Sequence, residues 1–503
     1  MTFDLLYLYF MIFNLFIDNL PWIIAAAFHL FLITIIIFII MENRDAQSTF
    51  AWIMVFMLLP FIGFLIYIFF GRNWRLQSTR KKKFYAKLTK ELNKMLGFIE
   101  SENPNLVKDL KKGLMSDHTK IVDMLYNTNE SMFTRHNTVK ILQNGAVKFP
   151  ALKKDLREAK EFIHMEYFIW RDDKLTNEIK KILIDRVNNG VKVRVMFDPA
   201  GSILLLFKGK KYIKEMRDAG IKFIPFFNSM ARSKLTTLNN INHRKVVIID
   251  GKIGYTGGMN MGQEYIDGKP MYKSWRDTFI RVEGESALAL HAIFAYDWMS
   301  ITGKSLFKEK YFKKLNKKDY PFCPIYSLAS GPTSQDSTIR QLYCSMIATA
   351  KKNVYVQSPY FVPDPTIYEA LKLSARAGVD VRVMVTGVPD KKVAYWAAFA
   401  FFEDLIKSGV KIYHYNAGFI HSKTISVDKT FCTIGTTNLD LRSFMTSHET
   451  NSVIFDEKTT AELTNDFIND MKECTEMTLE DYKKMSSPVK FRNSLCKLLA
   501  PLL

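Results

Sequence analysis

Asn242 to Asn260 reads "NHRKVVIIDGKIGYTGGMN", and Ile420 to Asn438 reads "IHSKTISVDKTFCTIGTTN". Both stretches hold His, one residue, Lys, four residues, Asp, six residues, Gly, two residues and Asn. The filler between the shared letters differs almost throughout. A sparse pattern written twice points to a duplicated unit, and the flanking sequence carries the duplication further. "GVKVRVMFD" (190–198) matches "GVDVRVMVT" (378–386), and "AGIKFIPFF" (219–227) matches "SGVKIYHYN" (408–416). "EYFIW" (166–170) precedes the first set much as "SPYFVPD" (358–364) precedes the second. Extra polar, basic chain in the first copy, "SMARSKLTTLNNIN" (229–242), reads as a surface loop.

Each copy alternates valine-rich strands with segments such as "LTNEIKKILIDRVNNG", whose apolar positions recur at three and four. The pattern predicts an α/β layered domain present twice, as a pseudo-twofold pair. On a strand, residues two apart share a face. His243 and Lys245 are therefore expected on one face, as are His421 and Lys423. The Gly-Gly-Met-Asn and Gly-Thr-Thr-Asn turns bring Asn260 and Asn438 back towards the imidazoles. Asp250 and Asp428 close the two motifs. They belong to the candidate catalytic set, although fixing the strand end suits them better than taking part in chemistry. Asp277 in "SWRDTF" and Glu449 in "SHETN" follow their histidines by 34 and 28 residues and are candidates to accept from the second imidazole nitrogen.

Two imidazoles, two ammonium groups and two carboxamides in one cleft suit a phosphodiester. The cations and amides hold the non-bridging oxygens and their developing charge. One imidazole attacks phosphorus, and the other protonates the leaving alcohol and deprotonates the incoming one. The lysines supply the charge, so no metal or other cofactor is expected. A hydrolase, a nuclease and a lipid-binding scaffold remain alternatives at this point.

The ends of the chain are unlike its body. The first 71 of 503 residues hold one of the 70 lysines and arginines, Arg44, and four of the 50 acids. The rest is strongly basic, which suits a polyanionic partner, either nucleic acid or an anionic membrane. Residues 21–41 and 50–70 are each apolar and 21 long, about 31 Å as helix, enough to cross a hydrocarbon core of roughly 30 Å. They read as a transmembrane hairpin; residues 3–20 read as interfacial or partly inserted because of Asp4, Asn14 and Asp18. Eight basic residues and no acid between Gly71 and Lys90 place that flank, and the body after it, in the cytoplasm. The hairpin counts against a nucleic-acid partner. Five scattered cysteines argue for a reducing compartment. The expected segments are a membrane region (1–71), a basic helical connector (72–130), two domains (131–315 and 316–485) and a C-terminal amphipathic helix (486–503). That last helix, with Phe491, Leu495 and Leu498 on one face, is a second candidate for membrane contact.

The doubled His-x-Lys-x4-Asp pattern resembles the phospholipase D superfamily. With "ENRD", "AWIMVFMLLPFIGFLIYIFFGRN", "SWRDTFIRVEG", "QSPYFVPD" and "NLDLRSF", nearly the whole chain is similar to the bacterial cardiolipin synthase family. The resemblance implies two phospholipase D-like domains, each a mixed β-sheet flanked by helices. It also implies a membrane enzyme that joins two phosphatidylglycerol molecules into cardiolipin and releases glycerol, through a phosphohistidine and without metal or nucleotide. It assigns the nucleophile to His243 and the general acid and base to His421; the residues themselves are symmetric on this point. The cleft is expected to open towards the bilayer between the basic loop near Arg232 and "VAYWAAFAFF" (393–402), a segment that also reads as a buried helix.

Overall fold

The computed structural model describes residues 2–41, 46–59, 62–63, 67, 90, 105–128, 132–226, 241–331 and 337–499. The chain divides into two compact units, Met1–Leu76 and Gln77–Leu503. The expected loop around Arg232 and most of the expected basic connector lie outside the described residues.

In the first unit, helix α1 runs unbroken over Thr2–Met41 with Pro21 inside it. Residues 3–20, expected to be interfacial or partly inserted, continue the same helix. Proline lacks only one donor and removes one bond of many, so a helix in apolar surroundings passes through it. Asn19–Met41 is long and apolar enough to cross a membrane. Helix α2 covers Ala46–Leu58, and most of the remainder of the expected second span lies outside the described residues. The two helices pack through Ile35, Ile39 and Phe56, with Tyr67 against them, while Trp22, Ile33 and Met54 are exposed.

The second unit is built on one 15-stranded sheet. In the first half its strands are β1 (Met132–Gln143), β2 (Phe162–Tyr167), β3 (Lys192–Phe197), β4 (Lys222–Pro225), β5 (Val246–Ile249), β6 (Ile253–Gly257) and β8 (Thr278–Gly284), with the two-residue β7 (Trp275–Arg276) apart. The second half supplies β9 (Phe322–Ser330), β10 (Asn353–Gln357), β12 (Asp380–Thr386), β13 (Lys411–Tyr415), β15 (Thr424–Val427), β16 (Phe431–Gly435), β18 (Glu449–Ile454) and β19 (Cys474–Met477). Three short strands lie outside the large sheet here: β11 (Phe361–Val362), β14 (Phe419–Ile420) and β17 (Leu439–Asp440).

Read from the middle outward, the first half runs β1-β8-β6-β5-β2-β3-β4 and the second runs β9-β18-β16-β15-β10-β12-β13, with β19 as an added edge. The order is identical, and the halves join where β1 pairs antiparallel with β9. This is the duplication expressed as topology. Strands β2, β3 and β4 are parallel to one another, as are β10, β12 and β13, and the crossovers are the helices that the three-and-four spacing predicts. The central strands are buried on both faces: Val246–Ile249 and Thr424–Val427 have no exposed residue.

Strand β5 runs antiparallel to β2, and β15 runs antiparallel to β10. The residues just before β5 and β15 therefore share a sheet edge with those just after β2 and β10. That edge, beyond the carboxyl ends of the parallel strands, is where ligands enter folds of this kind.

Candidate active site

A cavity of about 510 Å³ lies at this edge, lined by both halves. His243, Asn260 and Phe168 come from the first half, and His421, Asn438 and Glu449 from the second. The strand expectation for the motif histidines needs correction. Ladder pairing begins only at Val246 and Thr424, so His243–Lys245 and His421–Lys423 are chain leading into the strands. Both lysines are fully buried behind the cavity wall, and each ammonium donates to the carbonyl of its own motif histidine. His and Lys do not present one face to the cleft; the cations stand one layer back.

The halves are laced together at the motifs. The His243 N–H donates to the His448 carbonyl at 2.9 Å, and the His448 N–H donates to the Ile241 carbonyl at 2.9 Å. The matching contact in the other direction is the parallel pairing of β7 with β14, where the His421 N–H reaches the Arg276 carbonyl at 2.7 Å. Each lacing delivers the next residue to the facing imidazole. His243 Nδ1 lies 2.9 Å from a Glu449 oxygen, and His421 Nδ1 lies 2.7 Å from Asp277 Oδ2. The acid types expected at Nδ1 are present, but each histidine is held by the acid of the opposite half, not by the one that follows it.

Burial, reinforced by Lys245 beside one ring and Lys423 beside the other, holds both imidazoles well below their usual value. They are neutral, with the Nδ1 proton on the carboxylate side and Nε2 left as the free nitrogen. Burial also pushes Asp277 up to about 6 against the pull of Lys423. Burial pushes Glu449 upward as well, opposed by Lys245 and by the hydroxyl of Thr436. The same burial lowers Lys245 to about 7 and Lys423 to about 8. Transfer activity is expected to follow a bell-shaped pH profile. It falls below about pH 6 as Asp277 gains a proton and stops accepting from His421, and falls from about pH 7 upward as Lys245, and then Lys423 near 8, lose their charge. Initial rates between pH 5 and 9 check this; a flat profile contradicts it.

Both carboxamides line the cavity. Asn260 Oδ1 accepts from the Ile169 N–H at 3.0 Å, and its Nδ2 donates to the Tyr265 hydroxyl at 2.8 Å. The buried Asn438 Oδ1 has no partner within the described protein. Phe168 stands edge-on to His243 at 5.0 Å, and Trp275 to His421 at 5.3 Å. Arg244, the residue between the motif histidine and lysine, has no counterpart in the second motif, where Ser422 stands. It reaches Asp297, donates to the Ser330 carbonyl at 3.0 Å and to the Glu449 carbonyl at 3.0 Å, so it braces the backbone that carries Glu449. Its only sequence signal is a cation next to the motif histidine, which a solvated surface would share.

Asp250 and Asp428 do not line the cavity. Each sits at φ +53°, a left-handed turn conformation that Asp and Asn tolerate best after Gly. Asp250 accepts from the N–H groups of Lys160, Glu161 and Phe162, and Asp428 from those of Lys351, Lys352 and Asn353, all at 2.7–2.8 Å. Burial raises Asp428, but His118 at 3.3 Å and the three N–H groups outweigh it and leave it at about 2. A carboxylate lowered in the fold stabilises above its unfolded value and loses that contribution as pH falls through the folded one. Asp428→Asn keeps the turn conformation and removes the charge. It is expected to cost about 2 kcal/mol at neutral pH, with the difference from wild type vanishing between about pH 4 and pH 2. Denaturation of the detergent-solubilised protein across that range measures it.

The fold and the paired histidine motifs define a phospholipase D-like protein. A solved phosphatidylserine synthase from Haemophilus influenzae superposes with a TM-score of 0.58 at 16% identity, covering 76% of this chain and all of that one. The family model described as cardiolipin synthase, PLD-like domain, matches residues 152–298 and 343–471, and a phospholipase D-nuclease N-terminal model matches 30–72. The chain is 36% identical to a cardiolipin synthase of Halalkalibacterium halodurans over 96% of its own length and 95% of that protein. It is 34% identical to the major cardiolipin synthase ClsA of Bacillus subtilis, over 96% and 99%. The chain belongs to the cardiolipin synthase family with paired phospholipase D-like domains.

Proposed function

We propose that this protein is a cardiolipin synthase, a phosphatidyltransferase that moves the phosphatidyl group of one phosphatidylglycerol onto a second. The observation that carries the reading is one cavity lined by two buried, neutral imidazoles, each held at Nδ1 by a carboxylate, in a chain similar to cardiolipin synthases over nearly its full length.

His421 takes up a proton at Nε2 as the phosphodiester anion enters the cavity; His243 Nε2 then attacks phosphorus while His421 gives that proton to the departing glycerol oxygen. A primary hydroxyl of the second phosphatidylglycerol then gives its proton to His421 and attacks the phosphohistidine, freeing His243. One phosphodiester is exchanged for another, so no nucleotide is consumed. Lys245, Lys423, Asn260 and Asn438 stabilise the charge on the non-bridging oxygens. Lys245 and Lys423 do so from behind the wall, through a medium of low polarity. Asp277 and Glu449 fix the tautomers, and Asp250 and Asp428 fix the turns that end β5 and β15.

The family resemblance and the charge pattern support a cell-membrane protein with two spans, 21–41 and 50–70, and a catalytic body on the cytoplasmic side. The body is read as two domains, 131–315 and 316–485, after a connector over 72–130. The partners are phosphatidylglycerol and anionic lipid, and no nucleic acid. The test uses purified protein in mixed micelles with labelled phosphatidylglycerol and a chelator. Cardiolipin and free glycerol in equal amounts support the reading. Phosphatidic acid alone makes the protein a hydrolase.

A further inference from the structure

The cavity mouth carries an unusual set of exposed side chains. Four segments that form its wall each present large apolar groups to solvent. After Ala200 and Gly201 of the wall, helix α3 (Ile203–Lys208) exposes Ile203, Leu204 and Phe207, the last 74% accessible. Beyond Lys269 the turn to Tyr272 exposes Met271 at 63%. Helix α4 (Lys392–Lys407), entered from Lys391 of the wall, exposes Val393. Helix α5 (Leu441–Met445), which supplies Arg442 and Ser443 to the wall, exposes Met445. These residues are far apart in sequence, and only the fold collects them at one edge.

Cations accompany them. Lys208, Lys210 and Lys211 follow closely on Phe207, and Lys391 and Lys392 immediately precede Val393; all five are exposed. The acids near the rim are engaged within the protein. Glu264 pairs with Arg171 and Lys269, and Asp390 accepts from the Tyr360 hydroxyl at 2.7 Å. The final helix α6 (Ser487–Leu498) lies along α4, with Arg492 over the Trp396 ring at 4.3 Å, and exposes Phe491 and Leu495. The segment 393–402 is thus mainly a buried helix whose first turn reaches the rim.

We propose that this rim is a docking surface for an anionic phospholipid bilayer. Its isolated apolar tips enter the headgroup boundary and its lysines meet lipid phosphates. The composition argues against a protein partner, because interface cores are depleted in lysine and built around contiguous aromatic anchors. The inference rests on the proposed lipid transfer. A docked rim lets a headgroup enter the cavity while its acyl chains stay in the bilayer.

The test has two arms, both on the full-length protein reconstituted in phosphatidylglycerol–phosphatidylethanolamine vesicles. In the first, Phe207→p-benzoylphenylalanine is photolysed and its adducts are identified by mass. Leu373→p-benzoylphenylalanine is the control. Leu373 is 62% exposed near the C-terminal end of the helix that leads into β12, at the opposite sheet edge. Phospholipid adducts at 207 and not at 373 are expected. Adducts to a second copy of the chain, or none to lipid, overturn the proposal. In the second arm, Ile203→Ser with Phe207→Asp is expected to lower kcat/KM on vesicle phosphatidylglycerol by about tenfold or more. Turnover of monomeric dihexanoyl phosphatidylglycerol stays within about twofold. Equal loss on both substrates overturns docking. If the native protein makes cardiolipin from neither substrate, the transfer reading fails, and the adducts at 207 still decide docking separately.

Discussion

Replacing His243 with alanine is expected to remove transfer activity by at least about 10⁴-fold, and replacing His421 to do nearly the same, because members of a catalytic unit fail together and not additively. The two losses have different origins, and a lipid phosphodiester with a nitrophenol leaving group separates them. Nitrophenol leaves without protonation. His421→Ala is therefore expected to release one equivalent in a burst and stop at the phosphoenzyme, since no base activates the acceptor. His243→Ala is expected to show no burst. The motifs are symmetric in sequence, and both rings are buried, neutral and carboxylate-bound. A burst in His243→Ala and none in His421→Ala would reverse the assignment.

The second large effect comes from the crossed acids. Glu449→Gln and Asp277→Asn preserve shape but let the imidazole at Nδ1 adopt the wrong tautomer, a change worth about 10³–10⁴ in rate where a histidine base depends on it. The crossing makes the prediction specific. Glu449→Gln, in the second half, is expected to slow the burst, because it holds His243. Asp277→Asn, in the first half, is expected to leave the burst and slow the steady state, because it holds His421. Acids serving the histidines of their own halves would give the reverse pattern.

Much of this site was legible in the residue string because its signals are local. The doubled His-x-Lys-x4-Asp spacing, the matched "GVKVRVMFD" and "GVDVRVMVT", and the apolar start each need only a window of about twenty residues. They led to the duplicated α/β fold, to a cavity holding His243, His421, Asn260 and Asn438, and to the N-terminal apolar helix. The same windows misplaced Lys245 and Lys423. Strand alternation applies where ladder pairing holds, and pairing starts one residue after each lysine. No such window can show the bracing role of Arg244, because its three acceptors lie 53 to 205 positions away.

What the sequence determined by itself is the inventory: two copies of a unit, each with one imidazole, one ammonium, one carboxamide, one motif aspartate and one further acid to partner an imidazole. Which acid serves which imidazole was decided by the tertiary structure. The partners are 206 and 144 positions apart and meet only because the backbone before each motif pairs with a segment of the other half. The rim was decided the same way. Ile203, Phe207, Met271, Val393 and Met445 are ordinary exposed residues in the string, and become one surface only when the carboxyl ends of parallel strands from both halves converge on a single edge. Composition and periodicity record what each segment buries along its own length; contacts between segments are set by the packing of the whole sheet.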